Sequence, residues 1–513
     1  MPQGVLGFQY ERERTIQGMT AAAGLPLYLE LAHVLGMVEA VRKRLTARRG
    51  TQGWTDCQVV MAIVLLNIAG GTCVEDLERL EADAGFSELL RRTELNHLPR
   101  AQRRDLERRW RKERRRAVPS QTAVFRYLEN FHDAAQESLR APGKAFIPKP
   151  NEHLKALAQV NADFVAFVQS RRPQTVATLD MDATLIETFK ADALPAYKGF
   201  KAYQPLNVWW AEQGLMLYTE FRDGNVPAGF EQLRVLEEAL DVVPAGVTKI
   251  RLRSDTAGYQ HVLLSYCARG RHPRFGTIEF AIGADVTPPF KKAVAEVPES
   301  DWNQEYKGTG LHRLATKREW AEICFVPEGM GLSKKTTPYR FLATRERMAQ
   351  PPLPGMEEQQ KLPFPTMAWG GTHYKVFGIV TSFRVEDGWT GDKVIQFLYE
   401  RCGKSEEAHS ALKGDLAGGH LPCAEFGKNA AWWWMTVLAH NLNAAMKHLV
   451  LGEPWVARRL KALRFHLIHI AGRVMLRGRQ LLVRLACGAE TLARFLAARE
   501  RMKTLAKARA APA

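Results

Sequence analysis

The chain has 513 residues, with 72 Lys plus Arg against 55 Asp plus Glu and a formal net charge of +17. An apolar share of 46% offers enough surface to offset the ordering entropy, which excludes wholesale disorder. The longest apolar runs, Val59 to Leu66 and Ala430 to Ala439, reach about half of the ~20 residues a membrane-spanning helix needs. Met1 to Gln17 has no apolar stretch before a small-residue cleavage site, so no secretory signal is expected. Seven widely spaced Cys, none in a CxxC pair, argue against a disulfide framework or a Cys-type zinc site and suit a reducing cytoplasm. The pI of about 9.6 favours a polyanionic partner such as nucleic acid.

Residues 1–150 are predicted to be helical. Leu25 to Arg42, Cys57 to Ala69 and Val74 to Leu90 carry apolar residues at helical spacing, with Thr55 and Asp56 as N-cap candidates for the second. A basic arm follows at Arg100 to Arg116, and then a helix that Ser120 can cap. Phe146 to Pro150 forms a linker, and a helix is expected from about His153 to Gln169. Thr175 to Leu179, Pro205 to Trp210, Leu215 to Phe221 and Lys249 to Arg253 read as strands, with a helix at Phe230 to Leu240. This pattern predicts an α/β sheet.

Residues 271–392 form an expected β-rich insertion, with strands near Thr277 to Ile282, Glu322 to Val326 and Val376 to Phe383. Helix returns at Thr390 to Leu412 and at Asn429 to Leu451. From Trp455 onward the chain is expected to be a basic helical tail. The organisation is then 1–150 helical, 151–270 the first part of the α/β core, 271–392 insertion, 393–454 the second part of the core, and 455–513 tail.

Three places offer carboxylates suited to hard divalent cations. In the run TLDMDAT, Asp180 and Asp182 share one face of a strand, because side chains alternate with period 2. Asp255 directly follows the strand KIRLRS, and Glu406 lies on the helix YERCGKSEEAHSALK. Each alone reads equally as a turn former, a cap or a solvated residue. Gly403-Lys404-Ser405 does not make a phosphate-binding loop, since Leu398 stands where that loop needs Gly. His466 and His469 have no third ligand in sequence reach and are read as packing residues, like Trp432, Trp433 and Trp434.

Together with LRSDTAGYQ and LAGGHLPCAEFGKNAAWWWMTVLAHNL, these residues give the chain its likeness. It resembles the bacterial insertion-sequence DDE transposases with a ribonuclease-H-like core, in the cut-and-paste branch that carries a Tyr-Arg-Glu-Lys signature. Tyr399 stands seven residues before Glu406 and Lys413 seven after, as in that branch. The arginine position holds Cys402, with Arg401 beside it.

The resemblance implies Asp182, Asp255 and Glu406 as catalytic metal ligands, with Asp180 the alternative to Asp182 and Glu407 the alternative to Glu406. It implies two Mg²⁺ ions, replaceable by Mn²⁺. Tyr399, Arg401 and Lys413, with Lys404 as a substitute for the displaced arginine, are implied phosphate contacts. A DNA-binding amino-terminal domain would use Arg103, Arg104, Arg108 and Arg111 of the basic arm. In hairpin-forming relatives a Trp of the insertion stacks on a flipped base, which makes Trp302 and Trp320 candidates here.

The implied function is a transposase that binds the terminal inverted repeats of its element, cleaves DNA and transfers the freed strand to target DNA. It would act as a homodimer on double-stranded DNA, in the bacterial cytoplasm and away from membranes. The alternatives are a catalytically silent DNA-binding protein that keeps the fold, and a ribonuclease-H-like nuclease without strand transfer.

Overall fold

A computed structural model describes residues 10–510 apart from 12, 49–52, 96–99, 102, 105–115, 309–313, 328–337, 349–363, 370 and 478–479. The side chains of 95, 402–405 and 508–510 are also outside the description.

The amino-terminal part is helical: α1 (Leu25–Val34), α2 (Met37–Arg44), α3 (Asp56–Ala69), α4 (Leu77–Ala82), α5 (Ala84–Leu95) and α6 (Gln121–Leu128). The single helix expected at 25–42 is broken at Gly36, whose φ of 76° only glycine adopts without strain. Helix α3 starts at a capping box: Thr55 accepts from the Gln58 amide and Gln58 accepts from the Thr55 amide. Such a cap contributes about 1 kcal/mol. Ser120 caps α6, as its sequence predicts.

Helix α7 (Glu152–Arg171) leads into the sheet. Strands β1 (Val176–Ala183), β2 (Leu206–Trp210) and β3 (Leu215–Glu220) form an antiparallel meander; α8 (Gln232–Asp241) then precedes β4 (Lys249–Ser254), and α9 (His261–Ala268) precedes β5 (Glu279–Ala284). Strand β4 is parallel to β1, and β5 is parallel to β4. The spatial order is therefore β3-β2-β1-β4-β5. Their burial on both faces explains why they read as near-continuous apolar runs.

The insertion adds β6 (Asn303–Lys307), β7 (Leu314–Ile323), β8 (Arg340–Arg347), β9 (Thr366–Trp369) and β10 (Thr372–Thr381), all antiparallel. Strand β10 pairs with β5, so insertion and core form one ten-stranded mixed sheet. The strand expected at 277–282 within the insertion is β5, which pairs on its other side with the core.

The helix expected at 390–412 comes as α10 (Gly391–Tyr399) and α11 (Arg401–Ser410). Helix α12 (Phe426–Ala445) is buried along nearly its whole length and packs between α3, α7 and β3. Two of its asparagines are consumed in that packing. Asn441 exchanges hydrogen bonds with the Met216 backbone and donates to Asn161, while Asn443 accepts from the Tyr28 hydroxyl.

The carboxy-terminal region is not wholly helical, contrary to expectation. Strands β11 (Gly472–Arg477) and β12 (Gln480–Leu485) form a hairpin before α13 (Ala489–Ala510). Met19–Thr20 pairs with β11 as a third strand. Among the described residues no single helix is long and apolar enough to cross a membrane.

Candidate active site

Parallel pairing of β1 with β4 places Asp180 opposite Arg253 and Met181 opposite Ser254. One residue further on, Asp182 and Asp255 leave the same edge of the sheet. Neighbouring strands are about 4.8 Å apart, so the two carboxylates must feel each other. They do. The Asp182 carboxyl is pushed up to about 6, first by burial and then by Asp255, against the pull of Arg401.

Asp255 itself is held by its turn, where its carboxylate accepts from the Ala257 amide at 3.0 Å. That turn lies against Gly283 of β5, where an added Cβ would stand 3.1 Å from the Thr256 nitrogen.

Asp180 has another partner. It is 1% exposed and paired bidentately with Arg253, Nε to Oδ1 at 2.5 Å and Nη2 to Oδ2 at 2.8 Å. Arg253 also donates to the Phe397 carbonyl at 2.9 Å and so ties β1, β4 and α10 together. Asp180 is thus inside the packing, and Asp182 is at its rim.

Helix α11 packs on β1. Arg401 donates to Asp182 Oδ2 at 2.9 Å, rather than standing clear for a phosphate. Eight residues on, the same helix face brings His409 Nδ1 to 3.8 Å from that oxygen. Burial pushes the His409 ring down to about 4, so it is neutral at pH 7. Sequence reasoning missed this histidine, because in a charged helix it reads as a solvated residue.

Glu406 lies on the exposed flank of α11, as does Glu407, whose charge acts on Lys447. Among the described residues no group of three His, Cys, Asp or Glu side chains is close enough to hold a metal ion. The structure therefore brings Asp182 and Asp255 together and leaves Glu406 outside. Two converging carboxylates, one with its ionisation disfavoured by the other, fit a hard divalent cation, whose charge would relieve that repulsion.

Lys413 donates to the Leu185 carbonyl at 3.3 Å and is near enough to Asp182 and Lys198 to feel both charges. Tyr399 sits under the Arg318 guanidinium of the insertion, 5.3 Å from its ring centre. Arg103 and Arg104 are exposed; Arg108, Arg111 and the Lys404 side chain lie outside the described residues.

Both tryptophans expected to stack on a base have partners within the insertion or at its end. Trp302 is buried against Arg345, 4.2 Å from the ring centre, and edge-on to Trp369. Trp320 donates to Asp392 at 2.7 Å and lies on Gly391, where a Cβ would fall 2.1 Å from the ring. Two exposed rings stand elsewhere, on the small sheet Ile186–Glu187, Lys201–Tyr203, Leu194–Pro195 that follows β1. They are Phe189, 96% exposed, and Tyr197, 78% exposed with Lys198 Nζ 5.8 Å from its ring centre.

Two carboxylates thus meet at the ends of adjacent parallel strands, in a large mixed sheet of a basic chain. The family of transposase DDE domains, group 1, matches residues 13–329 and 366–507, stretches that contain Asp182, Asp255 and Glu406. The chain belongs to this family of DDE transposases. No curated protein sequence matches it. Among solved structures, a piggyBac transposase synaptic complex with hairpin DNA is similar to the chain at 10% identity, with a TM-score of 0.42 over 97% of this chain and 84% of that one.

Proposed function

We propose that this transposase binds the terminal inverted repeats of a bacterial insertion sequence, cleaves the DNA at their ends and joins the freed strand to target DNA. The observation that carries the proposal is the meeting of Asp182 and Asp255 where β1 and β4 leave the sheet. The strand order β3-β2-β1-β4-β5, with only β1, β4 and β5 mutually parallel, supports a ribonuclease-H-like core. The Tyr399, Glu406 and Lys413 spacing supports the Tyr-Arg-Glu-Lys branch.

Asp182 and Asp255 would hold Mg²⁺, or Mn²⁺ in its place. Bound there, the ions would activate the attacking oxygen and stabilise the leaving one. Arg401 fixes the Asp182 carboxylate through Oδ2. Lys413 supplies a cation beside it for the phosphate backbone, with Lys198 close to Lys413. Phe189 and Tyr197 offer the aromatic platform that Trp302 and Trp320 do not. The basic arm adds salt-sensitive phosphate contacts, and two protomers would bridge two ends in the bacterial cytoplasm.

The test is incubation of the protein with labelled DNA carrying the repeats that flank its own locus, with Mg²⁺ or with EDTA. Mg²⁺-dependent nicking at the repeat boundary, lost in Asp255→Ala, is expected; full cleavage by that variant would overturn the assignment. The exposed position of Glu406 favours one alternative, a DNA-binding protein that keeps the fold without the catalysis. Specific binding with no cutting in Mg²⁺ or Mn²⁺ would establish it.

A further inference from the structure

Three residues directly opposite one another in the antiparallel register, Asp182 on β1, Asn207 on β2 and Thr219 on β3, form a row across the sheet. Directly paired residues point to one face. Trp433 of α12 closes one end of this row and His409 of α11 the other. Asn207, Thr219 and Trp433 are buried to within 1% of full enclosure, and His409 is 8% exposed.

The directions in the row follow from two fixed points, the indole N–H of Trp433 and the amide oxygen that Asn207 turns to Thr219. An indole N–H can only donate, so Trp433 Nε1 gives its proton to Thr219 Oγ1 at 2.9 Å. The threonine hydroxyl has one proton of its own, and it points at Asn207 Oδ1, 2.6 Å away. With its oxygen so engaged, Asn207 turns its amide nitrogen to His409 Nε2 at 3.2 Å. Two donors cannot face each other there, so Nε2 must present its lone pair. The ring proton is then on Nδ1, the nitrogen that faces Asp182 Oδ2 at 3.8 Å.

We propose that His409 is a positioning residue for Asp182, locked by the Trp433–Thr219–Asn207 relay as the tautomer whose Nδ1–H faces Oδ2 across 3.8 Å and steadies its charge. Arg401 already donates to that oxygen. The Arg401 hydrogen bond and the Nδ1–H dipole turned toward Oδ2 across 3.8 Å, both from one helix, orient the carboxylate. A histidine or carboxylate held by a neighbour in this way is the usual means of orienting a metal-binding group. The inference rests on Asp182 acting as proposed above, but its first test does not.

That test is ¹⁵N nuclear magnetic resonance of the full chain labelled in its histidine rings, with the His409 signals assigned by their loss in His409→Gln. A ring protonated on Nδ1 alone at pH 7.5 is expected, and a shift toward mixed tautomers in Thr219→Val, which cannot pass the proton on. An Nε2-protonated or doubly protonated ring, or a tautomer unmoved by Thr219→Val, would overturn the relay.

The second test separates the two ends of the imidazole. The asparagine amide occupies the place of Nδ1 and the glutamine amide that of Nε2. His409→Asn can therefore keep the donor toward Asp182, while His409→Gln keeps only the relay contact. Mn²⁺ binding followed by calorimetry is expected to weaken about tenfold in His409→Gln and much less in His409→Asn. A role in packing alone would lower the melting temperature without this order, so equal affinities in the two variants would sink the positioning role. Absence of DNA cutting in the wild type would refute the transposase proposal and leave the tautomer result standing.

Discussion

Asp180 and Asp182 lie two residues apart on one face of β1, yet each belongs to a different arginine: Asp180 to Arg253 inside the sheet, Asp182 to Arg401 on the helix above it. The first pair is enclosed, with both side chains almost without exposure, and the second is at the rim. Substitution of the two aspartates should therefore fail in different ways.

Asp180→Asn leaves the Arg253 guanidinium buried and unpaired. Breaking such a pair from one side costs about 3–5 kcal/mol. The expected result is a large fall in melting temperature or loss of soluble protein. A variant that melted with the wild type would show that Arg253 finds its counter-charge elsewhere, and Glu400, 3.5 Å away, is the group to examine.

Asp182→Asn should do the opposite in the absence of divalent ions. The carboxyl ionises at about 6 in the folded protein and near its ordinary value of 3.8 in the unfolded chain. The folded state thus holds the proton more tightly, and stability falls as pH rises through that window. The deficit is complete above it, about 3 kcal/mol at most. The asparagine variant is expected to melt higher than the wild type near pH 8, less the lost Arg401 attraction, and the gap should close near pH 4. Added Mg²⁺ should raise the wild-type melting temperature and leave that of the variant in place. A gap independent of pH would contradict the assignment of the strain to this carboxyl.

Glu406→Ala tests the third acid cleanly, because an exposed helical glutamate is worth within about 0.5 kcal/mol to the fold. If bound DNA draws Glu406 to the two aspartates, as the resemblance implies, cleavage should fall by several orders of magnitude with the melting temperature unchanged. Undiminished cleavage would mean that Glu406 stays outside the site when DNA is bound.

Phe189→Ser removes a ring that is 96% exposed, so stability should not change. Loss of one stacked base costs about 1–3 kcal/mol, or roughly tenfold or more in affinity for single-stranded ends. Titration of a fluorescent single-stranded repeat end would read this. Equal binding by wild type and variant would remove Phe189 from the DNA surface.

Much of this was legible in the amino-acid sequence because the signals were local. The apolar runs at 176, 206, 215 and 249 became strands, and Thr55 and Ser120 capped the helices they precede. The carboxy-terminal hairpin was also legible and was overlooked. Residues 480–485, Gln-Leu-Leu-Val-Arg-Leu, form a short apolar run, and a glycine stands two positions before them in the sequence, but the density of arginine drew the reading to helix.

What could not be seen depends on register. That Arg253 pairs with Asp180, or that Asn207 and Thr219 line up with Asp182, follows from how strands far apart in sequence align. The engagement of Trp302 and Trp320 is similar, since each is decided by Arg345 or Gly391 across the insertion.

The three-stranded sheet made by Met19–Thr20 and the carboxy-terminal hairpin works as a clasp. Helix α13 lies on α1, where Arg499 pairs with Glu30, and Arg464 grips the last carbonyls of α3. Cutting away the basic tail would therefore unfasten the amino-terminal helices as well. Contributions of the two basic regions to DNA affinity have to be separated by neutralising single arginines, with the clasp left closed.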